Sequence, residues 1–132
     1  MTKILTLKKR KDFLRVAQGQ YVATHNMVLQ ATRSLYGGDV IFVGYTATKK
    51  IGNAVIRSKS KRRLRAIVRE ILKDNALSNV DYVFIARKST ADCCFSELKR
   101  DVLYALKRIN KEILNEGNSN DTKNKNSNSK TT

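Results

Sequence analysis

Between Thr48 and Glu70 the chain reads TKKIGNAVIRSKSKRRLRAIVRE. Residues 49–70 carry nine Lys or Arg side chains and one acid, Glu70. On a helix turned about 100° per residue from Arg57, Leu64, Ile67, Val68 and Ile71 fall at about 340°, 280°, 20° and 320°. They form an apolar stripe that Leu72 widens. Arg57, Lys61 and Arg65 make one i, i+4, i+8 ridge at about 0°, 40° and 80°, with Arg69 and Arg62 following at about 120° and 140°. Five cations thus line one flank of a helix whose neighbouring flank is buried, whereas Lys59 and Arg63 point elsewhere and read as solvated. Such a row is unfavourable alone. Like charges four residues apart repel, and cations in the first turns oppose the helix dipole. A phosphate backbone relieves both conflicts, and the free amides of the helix start add to its binding. The arginine fork matches phosphate oxygens and guanine edges. Lys49 and Lys50 stand just before Gly52, which lets the backbone approach a ligand closely.

The remaining residues offer no comparable chemistry. The single histidine, His25, sits in an apolar stretch read as a strand, and the carboxylates are scattered rather than paired with His or Cys. Nothing in the spacing identifies a nucleophile with its base, or a metal cage. Cys93 and Cys94 are adjacent; they exclude a disulfide framework and, with one His, a four-ligand zinc site. They read as reduced thiols in a loop before a helix. The 132 residues hold 27 Lys or Arg and 11 Asp or Glu, a formal net charge of +16. That excess lies mainly at residues 1–20 and 49–70, while residues 71–116 nearly balance. A surface built only for solubility interleaves the two signs, so a polyanionic partner is the first expectation. There is no apolar run of about 18 residues and no signal-peptide pattern, so no membrane association and a cytoplasmic location are expected.

The elements that would hold the basic flank follow from periodicity. Residues 8–18 read as a short helix, with Phe13, Val16 and Ala17 on one face and Gly19 as its stop. Residues 21–32 read as one strand and 40–48 as a second, separated by a turn at Leu35–Asp39. Gly44 in the second strand leaves room for a close neighbour. The basic helix covers 57–73. Residues 81–87 read as a strand buried on both faces. Residues 95–114 form a long helix with Phe95, Leu98, Val102, Ala105, Leu106, Ile109 and Ile113 toward the sheet. The order helix, strands, helix, strand, helix predicts a compact α+β or α/β sandwich. It would form one RNA-binding domain over residues 1–116. Residues 117–132 contain no large apolar side chain and read as a disordered basic tail.

The run Lys49-Lys50-Ile51-Gly52-Asn53-Ala54-Val55-Ile56-Arg57, followed by Lys61-Arg62 and Arg65, resembles the basic signature of the bacterial ribonuclease P protein family. Residues 9–16 resemble its opening helix, 43–50 the strand leading into the signature, and 81–87 its last strand. The resemblance implies a fold of the ribosomal-protein S5 domain 2-like type, with a left-handed crossover around the basic helix. It implies a subunit that assists a catalytic RNA in removing the 5′ leader from precursor tRNA, with Mg²⁺ held by the RNA rather than by a protein cage. Lys49, Lys50, Arg57, Ser58, Lys61, Arg62, Arg65 and Arg69 would then meet the catalytic RNA. Arg10, Phe13 and Tyr45 would line a leader-binding cleft between the opening helix and the sheet. Phe13 and Tyr45 each have a second reading, as packing residues. Two departures stand out: Ser58 replaces the usual Asn of the signature, and Ala17 and Gln30 stand where the family often has aromatics. A structural, ribosomal-type RNA-binding protein without a role in cleavage is the alternative. A DNA-binding helix module fits less well, because a strand precedes the basic helix.

Overall fold

Residues 27–33, 40–46 and 80–86 send alternate side chains to opposite faces of a sheet, and both faces are apolar. Helices must therefore cover both. In the computed structural model, which describes residues 2–35 and 37–118, the strands are β1 (Lys3–Thr6), β2 (Gln20–Ala23), β3 (Met27–Arg33), β4 (Val40–Thr46) and β5 (Val80–Ala86). They form a five-stranded sheet in the order β1-β4-β5-β3-β2. The β1–β4 and β4–β5 pairs are parallel; β3 runs antiparallel to β5, and β2 to β3. Helix α1 (Arg10–Ala17) covers one face. Its Val16 joins Leu7 and Val83 in a small core edged by Phe13, Phe42 and Ile85. Helices α2 (Ala54–Asn75) and α3 (Phe95–Asn118) cover the other, over a much larger core that includes Leu29, Ile41, Leu64, Tyr82, Phe84 and Leu106. Of the α+β and α/β sandwiches that the element order allows, the mixed sheet makes the α+β one the one observed. The parallel strands β4 and β5 are neighbours, joined through α2.

Several expectations need correction. The single strand over 21–32 is a hairpin. Thr24 and Met27 bond to each other through backbone and hydroxyl, reversing the chain. The buried Asn26 fixes that turn by donating its side-chain amide to Asp101 at 3.0 Å. His25 therefore lies in an exposed turn rather than a strand. Strand β1 was not anticipated, because its four residues are all exposed and show no alternation; pairing with β4 defines it. Helix α2 starts three residues earlier than the apolar stripe indicates. Asn53 caps it, its side chain accepting a hydrogen bond from the Ile56 amide at 3.0 Å. Helix α3 extends to Asn118. The expected tail lies otherwise outside the described residues.

Candidate nucleic-acid interface

The α2 stripe is buried as its spacing requires: Leu64, Ile67, Val68, Ile71 and Leu72 all face the core. Ser60 lies inside the same stripe, at about 300° on the wheel. It is tolerated there because its hydroxyl donates to the Ile56 carbonyl at 2.9 Å. Exposure of the cations follows their angle. Arg57 and Lys61, nearest the stripe, are half-buried, whereas Arg65, Arg69 and Arg62 are exposed. Ser58, at about 100°, falls within this flank and is exposed. Among the described residues none of the five cations forms an ion pair with a carboxylate. Glu70, the acid of the segment, turns away and pairs with Lys99 of α3 at 2.6 Å. The row is therefore a set of side chains held by the fold at one end and carrying no carboxylate at the charged end.

Upstream of α2, Lys49 and Lys50 are exposed on a 3₁₀ turn, Lys49–Ile51. Gly52 follows at φ 149°, with the Ile56 side chain 3.0 Å from where a Cβ would stand. Glycine is thus required there by backbone and packing together.

Arg63 departs from the sequence reading. At about 240° it borders the other margin of the stripe, and it is half-buried rather than solvated. Its guanidinium donates to the carbonyls of Thr90 (2.6 Å) and Cys93 (2.7 Å) and lies over the Phe95 ring at 5.5 Å. It fastens α2 to the start of α3. Cys93 next to it is half-buried, and burial pushes its thiol pKa up. Cys94 is exposed, and the Ser96 hydroxyl with the amides of Ser96 and Glu97 pulls its thiol pKa down.

The three residues assigned to a leader cleft are not brought together. Phe13 lies under α1 against Gly44, where a Cβ would come within 2.5 Å of its ring; this is the close neighbour that Gly44 admits. Arg10 is exposed at the start of α1. Tyr45 is on the opposite face, because strand parity places it with Ile41 and Val43 rather than with Phe42 and Gly44. Its ring stacks on Phe84 at 5.9 Å and carries the Arg65 guanidinium at 5.3 Å. Tyr45 thus belongs with the basic flank of α2. Beside α1 there is a groove of about 280 Å³ lined by Thr6, Leu7, Lys8, Lys9, Asp12 and Phe42.

The family model described as ribonuclease P matches residues 1–110. The chain belongs to the ribonuclease P protein family. The ribonuclease P protein component of Paramagnetospirillum magneticum is 42% identical over 107 residues, spanning 78% of this chain and 80% of the relative. That of Gluconacetobacter diazotrophicus is 41% identical over 103 residues, spanning 77% and 88%. Among solved structures, the ribonuclease P protein from Thermotoga maritima superposes with a TM-score of 0.68 at 29% identity, over 78% of this chain and 96% of that one. The ribonuclease P protein of Staphylococcus aureus gives 0.67 at 30% identity, over 79% and 94%. The chain's role is accordingly that of the protein subunit of ribonuclease P, within tRNA processing. No helix among the described residues is long and apolar enough to cross a membrane.

The cationic row runs one residue further than the sequence reading took it, to Lys73. This lysine is exposed and continues the four-residue steps of Arg57, Lys61, Arg65 and Arg69. The signal was present in that spacing, but Lys73 stands one turn beyond the densest run of charge.

Proposed function

We propose that the basic flank of α2 binds the catalytic RNA of ribonuclease P and that the α1 face of the sheet holds the 5′ leader of precursor tRNA. The observation that carries the first part is the row of Arg57, Lys61, Arg65, Arg62 and Arg69, none paired with a carboxylate among the described residues. Each contact with a phosphate releases condensed counterions, so binding gains free energy and becomes salt-dependent. Lys49, Lys50 and Ser58 extend the same surface. The leader reading rests on Phe13 and on the adjoining groove with Lys8 and Lys9 at its edge, with Arg10 outside it on the same helix.

Phosphodiester cleavage would belong to the RNA and its Mg²⁺. Among the described residues no group of three or more His, Cys, Asp or Glu side chains could hold a metal ion. The protein would neutralise repulsion between RNA strands and hold the leader in line for attack. Such a subunit would act in the cytoplasm.

The test is reconstitution. The full chain, added to its cognate catalytic RNA at low Mg²⁺, should promote removal of the 5′ leader from precursor tRNA. Replacing Arg57, Lys61 and Arg65 together by Ala should weaken association. It should also flatten the log–log salt dependence by about 0.9 per lost contact on a duplex-like backbone. An unchanged slope would remove the phosphate role. RNA binding without any effect on cleavage would favour the structural RNA-binding alternative.

A further inference from the structure

The cationic ridge of α2 borders a groove of about 400 Å³ between that helix and the edge strand β1. Its floor and walls are apolar: Ile4, Val68, Leu72 and the ring of Tyr45. Its rim is cationic: Arg65, Arg69 and Lys73, all exposed and four residues apart on one helix. A volume of this order lies within the range of about 300–1,000 Å³ typical of small-ligand sites. A surface that only follows a phosphate backbone needs charge and no hollow. Here the charges surround an apolar hollow with an aromatic wall, the combination that takes an unstacked base together with its phosphates.

From this juxtaposition we infer that the groove receives one unpaired nucleotide of the RNA bound along α2. The base would lie among Ile4, Val68 and Leu72, against the Tyr45–Arg65 pair, with the flanking phosphates on Arg69 and Lys73. The occupant must be anionic, because three cations close the mouth and no carboxylate lines it. It must also present a flat apolar face, because the walls offer a single hydroxyl, that of Tyr45. Burial pushes the pKa of that hydroxyl up to about 12, so it stays a neutral donor throughout the physiological range, able to bond a base acceptor. The Arg65 guanidinium covers the Tyr45 ring and offers its own outer face for stacking. The inference rests on the reading of α2 as an RNA-binding flank and adds a site of base contact to it.

The experiment measures affinity and salt dependence of the full chain for its cognate catalytic RNA, comparing groove variants with ridge variants. Ile4→Trp fills the hollow from the exposed edge strand without touching a charge. It should weaken binding roughly five- to hundredfold, the range of one lost base contact, with the salt slope unchanged. Tyr45→Phe keeps the ring and removes the hydroxyl. It should weaken binding roughly two- to tenfold, again at constant slope, and it decides the matter if Ile4→Trp destabilises the fold. Wild-type affinity in Tyr45→Phe and in a folded Ile4→Trp overturns the inference, and so does a loss accompanied by the flattened slope of the ridge variants. If Arg57→Ala and Lys61→Ala also leave binding and slope untouched, the reading of α2 itself fails; if they weaken it while the groove variants do not, only the nucleotide site is lost.

Discussion

Two stretches of the chain concentrate lysine and arginine, and the fold treats them differently. Residues 1–20 hold six basic side chains against Asp12, and residues 49–70 hold nine against Glu70. In the first stretch the helix has only 8 residues, too short for a long row of charge. Its one deeply placed cation, Arg15, is drawn across the α1 face to the buried carboxylate of Asp81 and also donates to the Arg33 carbonyl at 3.1 Å. In the second the helix has 22 residues, and the ridge from Arg57 to Lys73 runs about 24 Å along it. Its acid turns to α3, and one arginine, Arg63, is taken inward. Charge density therefore does not separate an arginine that holds the fold together from one that faces a ligand. What separates them is whether a carbonyl or carboxylate lies within reach on the neighbouring element.

The strongest way to break this contrast is Arg15→Ala. The Asp81 side chain is fully buried and Arg15 is about a quarter exposed, at 23%. Removing the arginine leaves an uncompensated buried carboxylate. That should cost about 3 kcal/mol, the lower end of the range for splitting a buried pair. A thermal or denaturant melt measures it. Burial already raises the Asp81 pKa above its ordinary value, against the opposing pull of Arg15. A carboxyl whose folded-state pKa is raised supports folding fully below its unfolded value and loses that support as pH rises through the folded value. Without Arg15 the pKa rises further, so the deficit of the variant should shrink toward pH 4 and widen toward neutrality. The salt slope of RNA binding should not change. A changed slope would move Arg15 from the fold to the interface.

Much of this was legible from spacing. The buried stripe of α2 and the row beside it needed only the helical period, and the nearly continuous apolar run within residues 81–87, broken by Asp81 at its start, announced a strand covered on both sides. The break at Thr24–Met27 was not legible, because the turn depends on Asn26 finding Asp101, 75 residues away. The parity of β4 separates Tyr45 from Gly44. Which face α1 would cover is a tertiary fact, however, so Tyr45 was grouped with Phe13. Arg63 was misread for the same kind of reason. Its angle bordered the stripe, but the carbonyls that hold it belong to a turn almost 30 residues later.

A matched pair on α2 sharpens the comparison further. Arg63→Ala removes two hydrogen bonds from a charged donor and the contact with Phe95, which should cost about 2 kcal/mol of stability while leaving the salt slope as it was. Arg62→Ala, one residue away and exposed, should leave the melting temperature within error and flatten the slope by about 0.9. Measuring both quantities for both variants separates the two roles on adjacent positions of one helix. If the two variants behaved alike, position on the wheel would carry no functional meaning here.

The smallest effect concerns the aromatic of the first basic stretch. The Phe13 ring is half-buried against Gly44 and beside Leu7, so part of its surface is committed to packing. The rest is available to a base on the α1 face. Phe13→Ala should therefore lower affinity for precursor tRNA more than for mature tRNA, by about fivefold, near the low end of what one stacked base contributes. Binding of each tRNA to the reconstituted ribonucleoprotein measures the difference, and the melting temperature of the free protein measures the packing share. A selective loss would give the α1 stretch a ligand role that rests on one aromatic and not on its many cations. Equal losses for both tRNAs would make Phe13 a packing residue, and the leader would have to be held elsewhere.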